Sequence, residues 1–520
     1  MHALKRWTLA FGTVFAGAAA ADTTQPSAAP DAALVERGAY LAKVGDCAAC
    51  HTAQGGAPFA GGVAIRSPFG VLYAPNITPD PAQGIGLWSD DDFYRAMHEG
   101  VGKKGDYLYP AFPYQWFTRV SRDDVLAIRA YLRTVPPSGE PSKPNTMVFP
   151  FSVRAGLGPW NALYFHPGEF RPDAGRSSEW NRGAYLVQGL GHCGDCHTPK
   201  GLAMQPLTSQ FLSGGAIDNW YAPNITSDPK RGLGAWPEDA LVAYLKTGVN
   251  PRKGVAVGPM SQVIHESLSQ LTDQDLRAMA VFLKSTRPIE SYRADRPTGE
   301  TGPHPAGQTV YLEHCAFCHQ QDGKGRPGAV PALDGNGLVQ AKGPEDMIRV
   351  VLGGRLATGT YGPMPAVGQA MNDADIAAAI DYARTAWSNA APVIRKTGLV
   401  GSIRADTVEG LAGPGRRQAG AEACRTPPDF PPVAPINDPD VDKTLVAMKP
   451  ETMLETIPDL IARVRSDSPG LAQADIVNRL MLEYCRIQAK TPDFDKPGGR
   501  TLLDRFGQLV YGALVNKQGP

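Results

Sequence analysis

Three copies of one five-residue pattern, C-x-x-C-H, constrain this chain more than any other feature of its sequence. The pattern is the attachment signature of c-type haem, because two thiols three residues apart bond one edge of the porphyrin while the adjacent imidazole ligates the iron. A zinc site would more typically unite two cysteine pairs, and a dithiol redox pair or a disulfide needs no following histidine. We therefore expect three covalently attached haem c groups. Their cysteines and iron-ligating histidines are Cys47, Cys50 and His51, then Cys193, Cys196 and His197, then Cys315, Cys318 and His319.

The first two copies lie within a longer repeat. Each is preceded by the sequence Arg-Gly-Ala-Tyr-Leu, at 37–41 and again at 182–186. Each is followed by Tyr-Ala-Pro-Asn-Ile-Thr, at 73–78 and at 221–226. Self-similarity of this kind indicates two copies of one fold unit. A third unit around Cys315 is shorter and more diverged.

Each unit is predicted to end in an amphipathic helix. Apolar residues recur at steps of three and four over 123–133, 273–284 and 373–386, so each helix can lay one stripe on a core. Glycine and proline contribute 57 and 47 of the 520 residues, which indicates many turns between the regular elements. We therefore predict a mainly α protein.

Two methionines are candidates for the second axial ligand of a haem iron, which electron carriers commonly take from a thioether. Met260 follows Gly-Pro in the second unit, and Met364 lies between two prolines in the third. The alternative is that each methionine fills a gap in the core. Their position in a proline-containing loop before the closing helix favours ligation.

The first unit has no methionine at the equivalent position. Tyr221 and Met260 are 39 residues apart, and the same step from Tyr73 leads to Phe112, which cannot coordinate iron. The first iron is then five-coordinate or takes another residue, such as Met97 or His98 in a helix predicted at 91–99. The alternative is that Met97 packs in the core and that His98 is solvated.

These features resemble the tri-haem cytochrome c subunits of bacterial membrane-bound dehydrogenases for alcohols, gluconate and fructose. The resemblance covers roughly residues 30–395. It rests on the repeated Tyr-Ala-Pro-Asn-Ile-Thr, on Phe149-Pro150-Phe151 and Trp160-Asn161, and on Glu179–Leu186 continuing through Gly191-His192-Cys193 to Thr198-Pro199-Lys200.

The resemblance implies three class I cytochrome c domains in series. It also implies a separate catalytic subunit of the flavin, quinoprotein or molybdenum type, and ubiquinone or a terminal oxidase as the electron acceptor. The chain departs from the family in two places. Phe112 stands where the family typically has methionine, and the tail after about residue 400 is longer than expected.

The fold class predicted is thus mainly α, with three class I cytochrome c domains in series and a small helical C-terminal extension. We refer to the three domains as unit 1, unit 2 and unit 3, and to the tail as the extension. The predicted divisions are a signal peptide (1–21), unit 1 (30–136), a linker that wraps between domains (137–178), unit 2 (179–287), unit 3 (300–395) and the extension (400–520).

The N-terminus predicts export from the cytoplasm. Lys5 and Arg6 precede an apolar run at 7–20 that ends in small residues, the layout of a cleaved secretory signal peptide. The run is shorter than the roughly 20 residues that span a bilayer. The expected location is the periplasm, free or bound at the outer face of the cytoplasmic membrane. Basic and acidic residues balance at 51 each, which argues against a nucleic-acid partner.

The extension contains the two cysteines outside the haem motifs. Cys424 and Cys485 are expected to form a disulfide in an oxidising compartment, the alternative being two buried free thiols. Residues 400–447 are rich in Gly, Pro and Asp and predict a linker or an extended wrap. Helical patterns follow at 451–464, 473–488 and 501–515, and we expect the last to pack within a small helical domain rather than on a membrane.

Two functions from different classes are compatible with the sequence. The first is an electron-transfer subunit of an oxidoreductase complex, since we find no catalytic constellation and no Gly-rich phosphate loop. The second is a haem enzyme or small-ligand-binding cytochrome that uses an open first iron. Binding of carbon monoxide to one haem of three would favour the second.

Overall fold

The computed structural model of the protein describes residues 31–217, 220–250, 254–291, 305–412, 424, 433–491 and 497–516. The predicted signal peptide lies outside these residues. Helices dominate the described part of the chain, which confirms the predicted mainly α class. Unit 1 and the linker contain α1 (Ala32–Val44), α2 (Cys47–His51), α3 (Asp90–Glu99), α4 (Tyr114–Phe117), α5 (Arg122–Leu132) and α6 (Leu157–Tyr164). Unit 2 contains α7 (Ser178–Gln188), α8 (Cys193–His197), α9 (Glu238–Thr247), α10 (Pro259–Glu266) and α11 (Asp273–Ser285). Unit 3 contains α12 (Pro305–His314), α13 (Ala316–His319), α14 (Glu345–Gly353) and α15 (Asp373–Thr385).

The first and last helices of each unit cross at a glycine. A Cβ atom at Gly38 in α1 would lie 1.8 Å from the Ala127 carbonyl oxygen in α5. In unit 2, a Cβ atom added at Gly183 would lie 1.9 Å from a backbone carbonyl oxygen of α11. In unit 3, a Cβ atom added at Gly307 would lie 2.2 Å from one of α15. Only a residue without a Cβ allows the two backbones to approach this closely. The crossing identifies unit 3 as a third copy of the same skeleton, although its sequence has diverged.

Short antiparallel strands complete the units. In unit 1, β1 (Ala64–Ser67) pairs with β2 (Gly70–Tyr73), and β3 (Thr146–Met147) from the linker adds to β2 with Val71 opposite Thr146. The linker is therefore bound to unit 1 by a sheet edge. The described residues of unit 2 form two strand pairs, β4 (Gly215–Ile217) with β5 (Trp220–Ala222) and β6 (Val249–Asn250) with β7 (Gly254–Val255).

Units 1 and 2 share one continuous hydrophobic core. The repeated Arg-Gly-Ala-Tyr-Leu sequence adds polar contacts at its edge. In unit 1, Arg37 forms an ion pair of 2.6 Å with Asp124, and Tyr185 of unit 2 donates a hydrogen bond to the same carboxylate. In unit 2, Arg182 forms an ion pair of 2.7 Å with Asp275, which also accepts a hydrogen bond of 2.7 Å from Tyr40 of unit 1. Each arginine thus binds within its own unit and each tyrosine reaches the other, as in a two-fold symmetric interface.

Unit 3 packs against unit 2 through α14 and against the extension through the loop after α14. At the first contact, the Asp346 carboxylate accepts a hydrogen bond of 2.7 Å from the Tyr221 backbone N–H. At the second, Ala357 lies in the hydrophobic core of the extension. That core consists mainly of apolar side chains from α17 (Pro439–Ala447), α18 (Met453–Asp467), α19 (Gln473–Gln488) and α20 (Pro497–Asn516).

The interpretation of 400–447 as a linker or an extended wrap is wrong for two of its stretches. A helix at its start, α16 (Leu399–Ala412), buries Val400 and Ile403 in the core of unit 3. Helix α17 begins at Pro439, with the Asp438 side chain capping its N-terminus. The sequence carried a signal for α17, because an Asp cap followed by proline is a typical helix start.

The other helix predictions are confirmed to within a few residues at each end. The closing helices are α5, α11 and α15, and the helix predicted at 91–99 is α3. Phe506, Val510 and Leu514 of α20 are fully buried in the core of the extension, as expected for packing rather than membrane binding. None of the described helices is both long and apolar enough to cross a membrane.

Candidate haem sites

Each C-x-x-C-H copy lies on a short helix that follows the first helix of its unit. In units 1 and 2 the pattern forms α2 and α8, each of five residues, and in unit 3 Cys315 precedes α13. A helical turn places residues three apart on one face, so the two sulfurs of each copy face the same side and the histidine follows one position later. The described residues contain no group of three or more His, Cys, Asp and Glu side chains arranged to hold a metal ion in a protein-only cage.

The three histidines are held in the same way. Each imidazole Nδ1 donates a hydrogen bond to the carbonyl oxygen of a proline later in its unit. In unit 1, His51 donates to Pro75 at 2.8 Å. The other two pairs are His197 with Pro223 at 2.7 Å and His319 with Pro331 at 3.0 Å. Because a carbonyl oxygen only accepts, Nδ1 carries the proton, and Nε2 keeps the lone pair with which the imidazole would bind a haem iron.

Burial sets the protonation of these sites. It lowers the pKa of all three histidines, although the proline carbonyls oppose the shift. Burial also raises the pKa of Cys47, Cys50, Cys193 and Cys196 to about 12. It raises the pKa of Cys315 to about 11 and also raises that of Cys318. The imidazoles are therefore neutral, as an iron ligand must be, and the raised pKa values keep the thiols protonated at neutral pH, although Cys50 is exposed and the other five cysteines are half-buried.

The residues present fit a covalently attached haem in each unit. Each site offers two unpaired thiols on one helical face and a neutral imidazole oriented by a backbone carbonyl. Beside α8, the buried indole N–H of Trp116 has no hydrogen-bond partner among the described residues, and its ring packs where a Cβ on Gly194 would be. A buried donor of this kind is available to an acceptor on a bound group.

The structure places Phe112 and Met260 at equivalent positions. In both units the middle helix ends at a left-handed glycine, Gly100 or Gly248. The backbone N–H eight residues on, at Leu108 or Ala256, then donates to that glycine's carbonyl oxygen. Four residues further come Phe112 and Met260, so the count of 39 residues from Tyr73 and Tyr221 is preserved in three dimensions. Phe112 is half-buried and meets Phe117 edge to face at 5.4 Å.

The two other candidates in unit 1 occupy different environments. Met97 is 4% exposed and lies in the shared core of units 1 and 2, which agrees with the packing alternative. His98 is half-buried and stacks on Tyr94 at 4.9 Å, with its Nδ1 3.5 Å from the Thr118 hydroxyl.

In unit 3, Met364 ends a short hairpin after α14. Arg355 and Met364 exchange both of their backbone hydrogen bonds at 2.8 Å. The half-buried Arg355 side chain donates from its guanidinium to the Thr358 hydroxyl at 2.7 Å. Its positive charge contributes to the lowered pKa of His319. Met364 therefore lies in a hairpin whose other strand is close to the histidine of the same site.

The attachment helices of units 1 and 2 contact each other's units. The negative charge of Asp195 in α8 contributes, after burial, to the raised pKa of Cys50 in α2. A Cβ on Gly45, just before α2, would lie 3.0 Å from the Leu190 side chain of unit 2. Sequence reasoning missed this proximity, and it also missed the carboxylates Asp124 and Asp275. The signal that could have found them was the repeated tyrosine, because a buried phenol usually needs a hydrogen-bond partner.

Comparison with known proteins adds a family and several relatives. The cytochrome c family model matches residues 35–136 and 305–387, which are units 1 and 3. The chain is 41% identical over 404 residues to the cytochrome c subunit of alcohol dehydrogenase (quinone) from Gluconacetobacter polyoxogenes, covering 73% of this chain and 85% of that protein. It is 37% identical over 398 residues to the gluconate 2-dehydrogenase cytochrome c subunit of Pantoea cypripedii, covering 72% and 90%. It is also 37% identical over 403 residues to the fructose dehydrogenase cytochrome subunit of Gluconobacter japonicus, covering 71% and 83%.

Proposed function

Since the chain belongs to the family of cytochrome c subunits of bacterial dehydrogenases, we propose that it carries three haems that pass electrons from a dehydrogenase catalytic subunit to quinone or another respiratory acceptor in the periplasm. Membership of the family itself implies that the chain binds haem c covalently and serves electron transfer. The observation that carries the proposal is the threefold recurrence of one arrangement: an attachment helix, a proline carbonyl on the histidine Nδ1, and a glycine crossing.

Unit 2 decides the haem count, because the family model does not cover it. Its sequence repeat with unit 1, its His197–Pro223 hydrogen bond of 2.7 Å and the Gly183 crossing support a third site of the same kind. Haem c supplies a one-electron couple of the iron when bound. The chain's contribution is to orient each imidazole, to exclude water and to offer Met260 and Met364 as thioether ligands, which raise a haem potential.

Intact mass and absorption spectra of the mature protein test the count. We expect three haem masses on the chain produced in a host with a haem-attachment pathway. The double substitution of Cys193→Ser and Cys196→Ser should lower the count to two. The matched control, Cys424→Ser in the extension, should leave three. A count that stays the same in the unit 2 variant would contradict the proposal.

The partner and the acceptor are proposed from the relatives. One relative is named a subunit of alcohol dehydrogenase (quinone) and another a subunit of gluconate 2-dehydrogenase, which supports a separate catalytic subunit for this chain. Cys424 and Cys485 form a disulfide, which supports an oxidising compartment such as the periplasm. The rate at which the reduced cytochrome is reoxidised, measured with a short-chain ubiquinone and with a soluble oxidase preparation, distinguishes the two acceptors.

One observation favours a second function for unit 1. Phe112 occupies the place of Met260, so the first iron lacks the thioether of unit 2. This supports a five-coordinate haem that binds a small ligand. Carbon monoxide should bind one of the three ferrous haems, and Phe112→Met should abolish that binding. If no haem of the native protein takes up carbon monoxide, the open-iron function is excluded and electron transfer alone remains.

A further inference from the structure

The hairpin that carries Met364 has little regular structure of its own. Its backbone pairs at two places, Arg355 with Met364 and Thr358 with Tyr361, the second at 3.0 Å in both directions. The Arg355 side chain adds hydrogen bonds within the hairpin to the Thr358 hydroxyl and the Gly362 carbonyl oxygen. Gly359 turns the chain in the left-handed conformation, with φ of +59°. An isolated two-stranded hairpin is marginally stable at best in water. The position of Met364 therefore depends on what holds the hairpin from outside.

Helix α19 of the extension binds the first strand of the hairpin. The Asn478 amide oxygen accepts a hydrogen bond of 2.9 Å from the Ala357 N–H, and the amide nitrogen donates one of 2.9 Å to the Ala357 carbonyl oxygen. Asn478 is 4% exposed and Ala357 is 1% exposed. Because water is excluded from both partners, loss of the amide would leave two buried backbone groups unsatisfied.

Helix α20 binds the other side of the hairpin. The Tyr511 hydroxyl donates to the Thr360 carbonyl oxygen at 2.6 Å and lies 3.2 Å from the Gly328 carbonyl oxygen. Its ring covers Gly362, where an added Cβ would lie 2.8 Å from the ring. Glycine is thus required at residue 362 for the tyrosine to approach the hairpin.

Gly328 connects this contact to the histidine side of the haem site. It lies in the loop that leads to Pro331, whose carbonyl oxygen holds the His319 imidazole. The hairpin also joins that loop directly, since the Gly362 N–H donates to the Ala329 carbonyl oxygen at 3.0 Å. One tyrosine of the extension therefore contacts both the loop that orients the histidine and the hairpin that presents the methionine.

We propose that the extension is a clamp that positions Met364 as the sixth ligand of the third haem, through Asn478 and Tyr511. The inference rests on the proposed function, in which His319 and Met364 bind that haem. A thioether on a loosely held loop competes poorly with water or added ligands at ferric iron, whereas a fixed loop keeps it at the metal. Asn478 and Tyr511 are positioning residues, since they act on the ligand through the hairpin.

Tyr511→Phe in the full-length holoprotein tests the clamp. It removes the hydroxyl and keeps the ring, so the fold of the extension is retained. We expect the potential of one haem to fall while the other two stay unchanged. A tenfold relative stabilisation of the ferric form corresponds to about 59 mV in a one-electron couple. Added imidazole should also bind the ferric form of that haem more tightly, by about the same tenfold factor.

Tyr484→Phe is the matched control. Tyr484 lies in α19 of the same extension, and its buried hydroxyl has no hydrogen-bond partner among the described residues. The control should move neither the potentials nor the affinity for imidazole. Asn478→Ala gives a second variant of the clamp, with an expected change in the same haem and the same direction.

Met364→Ala separates the clamp from the ligand assignment. If Met364 is the sixth ligand, its removal lowers the potential of one haem, and adding Tyr511→Phe then causes no further change. If Met364→Ala shifts a potential while Tyr511→Phe and Asn478→Ala do not, the clamp is refuted and the ligand assignment stands. If Met364→Ala shifts none of the three, the assignment of Met364 in the proposed function is itself wrong.

Discussion

Units 1 and 2 bury each other, whereas unit 3 is covered on one side by the extension. The glycine crossings put the three units in register, so that Asp124, Asp275 and Asp375 occupy one position on the closing helices. In units 1 and 2 this carboxylate receives an arginine of its own unit and a tyrosine of the other. In unit 3 the residues in the places of the arginine and the tyrosine are Ala306 and Thr309, and the carboxylate bonds Asn372 at the start of its own helix.

The difference shows how one skeleton forms two kinds of junction. Where the Arg-Gly-Ala-Tyr sequence is kept, two copies associate face to face through reciprocal contacts. In unit 3 that sequence is lost, so its helix face has neither the arginine nor the tyrosine of the reciprocal contacts. Unit 3 instead packs against unit 2 through α14 and against the extension through its hairpin. Within the part of the chain that the structure describes, α19 and α20 bond the backbone of the methionine loop in unit 3 alone. Of the three candidate haem sites, the extension therefore contacts the methionine loop of the one in unit 3.

The largest expected effect concerns the helix crossings. Gly38→Ala puts a methyl group 1.8 Å from a backbone oxygen, and we expect a loss of about 3 kcal/mol or more in the free energy of unfolding. Because units 1 and 2 share a core, both should unfold together, whereas Gly307→Ala should affect unit 3. Thermal unfolding followed at each haem distinguishes the two outcomes. Gly139→Ala, with open space around the added atom, is the control.

The second prediction concerns the carboxylates at equivalent positions. Asp275→Ala removes the partner of Arg182 and Tyr40, and we expect the free energy of unfolding to fall by about 2 kcal/mol, a value that allows for the partial exposure of the arginine. Asp375→Ala in unit 3 should cost about 0.5 kcal/mol. Equal losses in chemical denaturation of the two variants would contradict the distinction between the junctions.

The third prediction concerns pH, which should act in opposite directions on the two junctions. Burial raises the pKa of Asp275, but hydrogen bonds from Arg182 and Tyr40 outweigh it and the net pKa lies below the usual value. The stability that Asp275 contributes is therefore present at neutral pH and is lost as pH falls through that lowered pKa. Burial raises the pKa of Asp346, between units 2 and 3, to about 7. Its contribution is complete at pH below about 4 and is lost as pH rises through about 7.

Asp346→Asn makes the pH prediction testable. The amide oxygen still accepts the hydrogen bond from Tyr221, and no proton is lost at high pH. At about pH 8 we expect the variant to be more stable than the native protein by on the order of 2 kcal/mol, and at about pH 4 the two should unfold alike. Unfolding of unit 3 followed by hydrogen exchange at both pH values provides the measurement. A pH-independent difference would show that the carboxylate does not titrate in this range.

A smaller effect than that of Asp275→Ala is expected from removing the Tyr40 hydroxyl, which forms cross-unit hydrogen bonds with Asp275 and with the Thr272 N–H. Tyr40→Phe removes the bond of 2.7 Å to Asp275, and the free energy of unfolding of the paired units should fall by about 1 kcal/mol. Tyr311→Phe is the comparison in unit 3, where the hydroxyl bonds the Gln320 carbonyl oxygen within the same unit. It should cost a similar amount without loosening units 1 and 2, as monitored by their common unfolding transition.

The regular patterns allowed most helices to be predicted. Helix α19 begins at Gln473 and ends at Gln488 as expected, because its apolar residues repeat at helical spacing and all face one core. The equivalence of Phe112 and Met260 also followed from counting residues, since no insertion separates the repeats over that span. By contrast, α16 was missed because its residues become buried only through contact with unit 3.

The sequence by itself determined the chemistry of the attachment segments, the class of the fold and the repeat of the units. All three follow from local spacing, which covalent geometry and helical periodicity fix without reference to distant residues. Only the tertiary structure decided that Tyr40 reaches Asp275 and that Tyr511 reaches the loops around residues 328 and 360. These partners lie more than 150 residues apart, and their pairing depends on how whole cores pack.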